Sequence, residues 1–205
     1  MRGMFTAGVI DVMMEHGIPF DGVIGVSAGA AFGCNYKSGQ IGRVVRYNTR
    51  FCRDKRYGGF RVLLKTGDYY SKQFCYEEVP LYHDIFDFDA FESNPREFHV
   101  VCTDVETGRP VYHLYGDRND HAFEWIRASA SMPLVSRIVE IDDFKLLDGG
   151  IACLKQLMQE AKEIGYYVVL DAPEILTPWN ADLVSAYVTD IPCDALFFMS
   201  ALLRR

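Results

Sequence analysis

Apolar positions along the chain alternate between a helical and a strand period. In residues 4–14, Phe5, Val9 and Met13 fall on one stripe with Ile10 and Met14 beside it, which predicts a helix. Gly17 suits the left-handed cap that ends such a helix, and Pro19 cannot continue it. Val23-Ile24-Gly25-Val26 runs without polar alternation, as in a strand covered on both faces. Residues 28–36 are mostly small and predict a helix packed closely on a sheet. A basic helical region follows, then a helix over 88–93 stopped by Asn94-Pro95 and a strand at 98–103. Glu106-Thr107-Gly108 turns the chain into a strand at 111–114, and Asn119 or Asp120 caps a helix through Ser129. Residues 137–141 and 144–147, joined by Asp142-Asp143, form a hairpin that runs into Asp148-Gly149-Gly150. Helices interleaved with apolar strands predict a three-layer α/β domain with a mixed, mostly parallel sheet.

Composition narrows the function classes. Of 205 residues, 49% are apolar and 24% charged, which argues against disorder. A net charge of −7 argues against a nucleic-acid binder that relies on bulk positive charge. No apolar run approaches the roughly 18 residues of a membrane span, and no leader pattern opens the chain, so the expectation is a cytoplasmic protein. The six cysteines lack zinc-knuckle or redox spacing and read as reduced apolar fillers. The five histidines are scattered, so neither a metal nor another cofactor is expected.

Charge is unevenly spread: residues 37–72 carry +8 and the remainder −15. Tyr47, Phe51, Tyr57, Phe60, Tyr69 and Tyr70 interleave with those cations. This segment reads either as a peripheral contact for anionic membrane headgroups or as a solvated helix face pairing with acidic neighbours.

Gly25-Val26-Ser27-Ala28-Gly29 fits G-x-S-x-G between a predicted strand and a predicted helix, the setting of a nucleophile elbow rather than a structural turn. The glycines allow a sharp turn, and the helix directs free N–H groups and partial positive charge toward Ser27. The N–H of Ala28 is then a candidate oxyanion donor. A serine hydroxyl needs a base. No histidine follows His121, so a Ser-His-Asp arrangement would have to use an earlier acid such as Asp104 with His113 or His121. Asp148, at the end of a strand and before Gly149-Gly150, is the alternative base, and partial desolvation would strengthen it.

Arg2-Gly3-Met4-Phe5-Thr6-Ala7-Gly8-Val9, Gly25-Val26-Ser27-Ala28-Gly29 and Asp148-Gly149-Gly150 together resemble the patatin-like phospholipases, most of all their bacterial branch. Leu63-Leu64-Lys65-Thr66-Gly67-Asp68, residues 103–108 and residues 128–133 agree with it, and the likeness covers residues 1–151. The resemblance implies a lipid acyl-ester hydrolase with a Ser-Asp dyad, Ser27 as nucleophile and Asp148 as general base. Arg2 and Gly3 match the end of the family's glycine-rich oxyanion loop. The family places a strand and further glycines before this pair, whereas the chain begins at Met1-Arg2-Gly3, which implies a domain incomplete at its N-terminal strand. Each lost oxyanion donor typically costs about 10²–10³ in rate, so an inactive truncated or chimeric scaffold is the competing reading.

Residues 152–205 depart from the family pattern. Residues 152–196 are similar to a fragment of bacterial orotidine 5′-phosphate decarboxylase, but about 55 residues cannot close a (β/α)8 barrel. This segment is either foreign to the domain or a tail that adds a helix and strand to the same sheet.

Overall fold

A computed structural model describes residues 3–121 and 123–151, together with the backbone of a strand at 167–170. The apolar run expected between two covered faces is β1 (Gly22–Val26), buried at all five positions. It pairs in parallel with β2 (Glu97–Asp104) on one edge and with β6 (Tyr167–Leu170) on the other. β3 (Pro110–Leu114) and β5 (Phe144–Asp148) both run antiparallel to β2, and β4 (Val139–Ile141) closes the hairpin with β5. The sheet is open and mixed, and its main path is β4-β5-β2-β1-β6. The segment after Gly150 therefore contributes one strand to the same sheet. The helix expected through residue 164 and the decarboxylase-like stretch beyond residue 170 lie outside the described residues.

The register along β2 positions the site. β3 occupies one edge of β2 from His99 to Thr103. β1 and β5 must therefore share the opposite edge, β1 ending at the pair Val26–Val101 and β5 at the adjacent pair Cys102–Asp148. A parallel and an antiparallel strand thus meet end to end, bringing residues 121 positions apart into contact.

Five α-helices besides α1 (Gly3–Glu15) surround this frame: α2 (Ala28–Ser38), α3 (Arg43–Phe51), α4 (Phe60–Thr66), α5 (Phe88–Ser93) and α6 (Glu124–Ser129). α2 packs on β1 and β2, α6 on β2 and β5, and α1 and α5 on α2. The stripe expected in α1 is rotated: Thr6, Ala7, Ile10 and Met13 are buried, while Phe5 is exposed. The small side chains at 6 and 7 allow close packing, so they face inward instead of the ring. α6 begins five residues after Asn119, because Asp117 takes the Asn119 N–H in a local turn at 2.6 Å and His121 adopts a left-handed φ of 52°. Residues 73–83 form a π-helix, Gln73–His83, that contains Pro80 and has no counterpart in the sequence reading.

Much of the basic segment is internally committed, in line with the second of its two readings. Arg43 is buried and donates to the Asp84 carbonyl (3.1 and 2.6 Å) and to Asn35 Oδ1 (2.9 Å). Arg46 grips the Asp84 carboxylate through two bonds of 2.7 and 2.8 Å. Lys37 sits over the Phe91 ring, Arg56 pairs with Asp54, and Lys72 pairs with Glu124. No described helix is long and apolar enough to cross a membrane.

Candidate active site

The chain turns from β1 into α2 in a single residue. At Gly25 a Cβ would lie 2.5 Å from Ala30 Cα and 2.8 Å from Ala30 N, so the start of α2 presses directly on the strand. Ser27 makes the turn at φ 55° and ψ −124°, a region that an L-residue enters only at a cost of about 1–3 kcal/mol. Its carbonyl accepts from Ala30 N and Ala31 N. The N–H groups of Ala28 and Gly29 head the helix, where no preceding carbonyl of the helix reaches them. Gly3, at the start of α1, packs beside the elbow: a Cβ there would meet the Phe32 ring at 2.7 Å and Ala28 Cβ at 3.2 Å. Arg2 lies outside the described residues.

Asp148 ends β5 and is 3% exposed. Ser27 Oγ donates to its Oδ2 at 2.6 Å, and Gly150 N–H donates to its Oδ1 at 2.8 Å. Asp148 N–H donates to the Ser131 carbonyl (2.8 Å), and the Asp148 carbonyl accepts from Thr103 Oγ1 (2.9 Å). Both carboxylate oxygens therefore have hydrogen-bond donors, and the backbone beneath them is pinned. The structure brings together Ser27, Asp148, Gly3, Gly25, Ala28, Gly29, Gly149 and Gly150 at one place.

The histidine-based arrangement does not form. His113 stacks on Trp125 (centroids 3.8 Å apart) and contacts Asp120 at 2.5 Å. His121 contacts Asp142 at 3.3 Å. Asp104 accepts from the Thr107 hydroxyl at 2.6 Å and from two turn N–H groups, which hold its carboxyl below the usual range. His113, His121 and Asp104 are thus paired with Asp120, Asp142 and Thr107 rather than with Ser27.

One site residue escaped the sequence reading. Ser129 Oγ, fully buried, accepts the Ser27 N–H at 2.9 Å and donates to the Val101 carbonyl at 2.6 Å. It thereby fixes the strained elbow to β2. Ser129→Ala leaves a buried N–H without its acceptor and should cost about 1–3 kcal/mol of stability in a urea titration. Ester turnover should fall at the same time, because the Ser27 backbone is released.

A cavity of about 200 Å³ contains Ser27, Ala28 and Gly3 in its wall. Phe32, Tyr47, Tyr76, Val79 and Ile126 supply much of the remaining lining. Burial pushes the lining Cys34 and Cys75 thiols up to about 12 and raises the Tyr47, Tyr57 and Tyr76 phenols as well. These groups stay neutral near pH 7. The lining cation, Arg43, is already engaged by Asp84 and Asn35. The cavity is therefore a largely apolar sleeve with Ser27 in its wall, and Asp148 lies behind the serine, bonded to its Oγ. Among the described residues, no group of three or more His, Cys, Asp or Glu side chains is placed to hold a metal ion.

The chain is similar to the Escherichia coli (strain K12) protein named "Uncharacterized protein YjjU", with 30% identity over 172 residues. That alignment covers 79% of this chain and 46% of the relative, so the chain spans less than half the relative's length. The family model for patatin-like phospholipase matches residues 1–153. Three-quarters of its length thus fit one model, and the chain belongs to the patatin-like phospholipase family.

Proposed function

We propose that the chain hydrolyses lipid acyl esters through a Ser27–Asp148 dyad and a covalent acyl-enzyme. The 2.6 Å contact between Ser27 Oγ and Asp148 Oδ2 carries this reading, because at that distance no imidazole fits between them. As Oγ bonds to the ester carbonyl carbon, its proton passes to Oδ2. The carbonyl oxygen gains negative charge beside the Ala28 N–H at the head of α2, an 11-residue helix whose dipole favours an anion there. The tetrahedral adduct collapses, and the leaving alcohol takes the proton back from Asp148. A water molecule then attacks the acyl-enzyme, giving its proton to Asp148, and as the Oγ–carbon bond breaks to release the carboxylic acid, Ser27 Oγ takes that proton back from Asp148. Gly150 N–H steadies the carboxylate through these proton transfers. The largely apolar sleeve, whose lining cation Arg43 is engaged by Asp84 and Asn35, suits a hydrocarbon chain, which favours a lipid ester over a small polar one.

The test is hydrolysis of p-nitrophenyl butyrate by the full chain and by Ser27→Ala. The expected result is turnover by the wild type and a loss of about 10³-fold or more in the variant. Equal rates would place the chemistry elsewhere, and no turnover by a folded wild type would favour the inactive-scaffold reading.

A further inference from the structure

α4 turns its apolar side outward. Only Val62 of its seven residues is buried; Phe60 and Leu64, one turn apart, are 71% and 74% exposed. Arg61 and Lys65 form the adjoining stripe of the same helix, also exposed. Leu134 is 98% exposed and sits at φ 70°, a left-handed conformation in which leucine is disfavoured. Packing inside the domain explains neither the side chain nor the conformation, since glycine or asparagine would suit that turn better.

These features belong to one corner of the molecule. Gly59 N–H donates to the Tyr69 carbonyl (2.8 Å), Tyr69 N–H to the Val135 carbonyl (2.7 Å) and Arg137 N–H to Asp68 Oδ1 (2.8 Å). Gly67, which ends α4, lies directly against the Arg137 side chain. Tyr70 and Met132, from the same two segments, line the cavity that contains Ser27. Among the described residues, Arg61, Lys65 and Arg137 form no ion pair, whereas Arg46, Arg56 and Lys72 all do.

We propose that this corner docks the chain on an anionic lipid surface, with Phe60, Leu64 and Leu134 entering the acyl boundary and Arg61, Lys65 and Arg137 meeting headgroup phosphates. The inference deepens the hydrolase reading and rests on it, because docking here presents the cavity to its substrate phase. Charge complementarity favours this occupant. The chain carries −7 overall, so an anionic bilayer repels most of its surface and accepts it through an unneutralised basic corner. A symmetric pairing of two copies would instead set the same cations against each other.

The experiment is co-sedimentation of the full chain with phosphatidylglycerol–phosphatidylcholine vesicles and with pure phosphatidylcholine vesicles. Binding is expected to the anionic vesicles, weakening as salt is raised. The double variant Leu64→Glu/Leu134→Asp should lower partitioning at least tenfold, and Arg61→Gln/Lys65→Gln by roughly tenfold or more. Unchanged circular dichroism and unchanged hydrolysis of water-soluble p-nitrophenyl butyrate would show that these surface changes spare fold and site. Absence of wild-type binding to anionic vesicles would overturn the proposal. So would equal binding by the variants, or a dimer in sedimentation velocity that the leucine variant abolishes. Vesicle binding without ester turnover would leave the docking surface standing and remove the hydrolase reading.

Discussion

Replacing Asp148 with asparagine is expected to lower kcat for ester hydrolysis by about 10²–10⁴-fold while leaving the melting temperature close to that of the wild type. The amide has the size of the carboxylate, and its oxygen can still accept from Gly150 N–H or from Ser27 Oγ. What it cannot do is take the serine proton as the carbonyl carbon is attacked. A rate that falls while fold and binding persist assigns the loss to proton transfer. His113→Ala and His121→Ala should retain turnover within about twofold, since both rings are held by turn carboxylates away from the elbow. Steady-state kinetics on the three variants checks both halves of this prediction. A histidine variant that lost as much as Asp148→Asn would require an imidazole in the proton path.

The second large effect concerns backbone contact. A Cβ on Gly149 would lie 2.1 Å from the Val101 carbonyl oxygen and 2.7 Å from its carbon. Both atoms belong to β2, a strand with partners on each edge, so no flexible side chain can yield. Gly149→Ala should therefore destabilise the protein by about 2–3 kcal/mol and lower its melting temperature by about 5–10 °C. It should also lose ester turnover, because relief of the clash must move residue 149 and with it the Asp148 carboxylate. Gly8→Ala serves as the control. Its Cβ meets nothing within 4 Å in the middle of α1, and alanine there should raise stability by about 0.5–1 kcal/mol. Differential scanning calorimetry of the two variants checks both signs.

The parts of this account that were legible in the sequence are those set by short-range rules. An apolar run followed by G-x-S-x-G predicts a buried strand, a sharp turn and a helix head, and β1, Ser27 and α2 follow that order. The Asp142-Asp143 turn between two apolar runs predicts the β4–β5 hairpin that delivers Asp148. The features not legible are those decided by tertiary contact. That α1 buries Thr6 and Ala7 instead of Phe5 depends on how closely α2 approaches, which periodicity does not encode. The role of Ser129 depends on a hydrogen bond to a residue 102 positions away, and no local pattern marks it. The π-helix over Gln73–His83 includes a proline, which in a sequence reads as a break. The basic run was half readable. Its charge is evident, but the burial of Arg43 against Asp84 follows only once α3 and the loop after the π-helix are packed together.

The central claim is that an acyl group is carried on Ser27 and that Asp148, without a histidine, activates it. Mass mapping of the chain after reaction with a fluorophosphonate tests this most directly. The account predicts a single phosphonyl adduct on the peptide containing Ser27, formed much more slowly in Asp148→Asn and at the wild-type rate in His113→Ala and His121→Ala. An adduct on another residue, or equal labelling rates in wild type and Asp148→Asn, would contradict it.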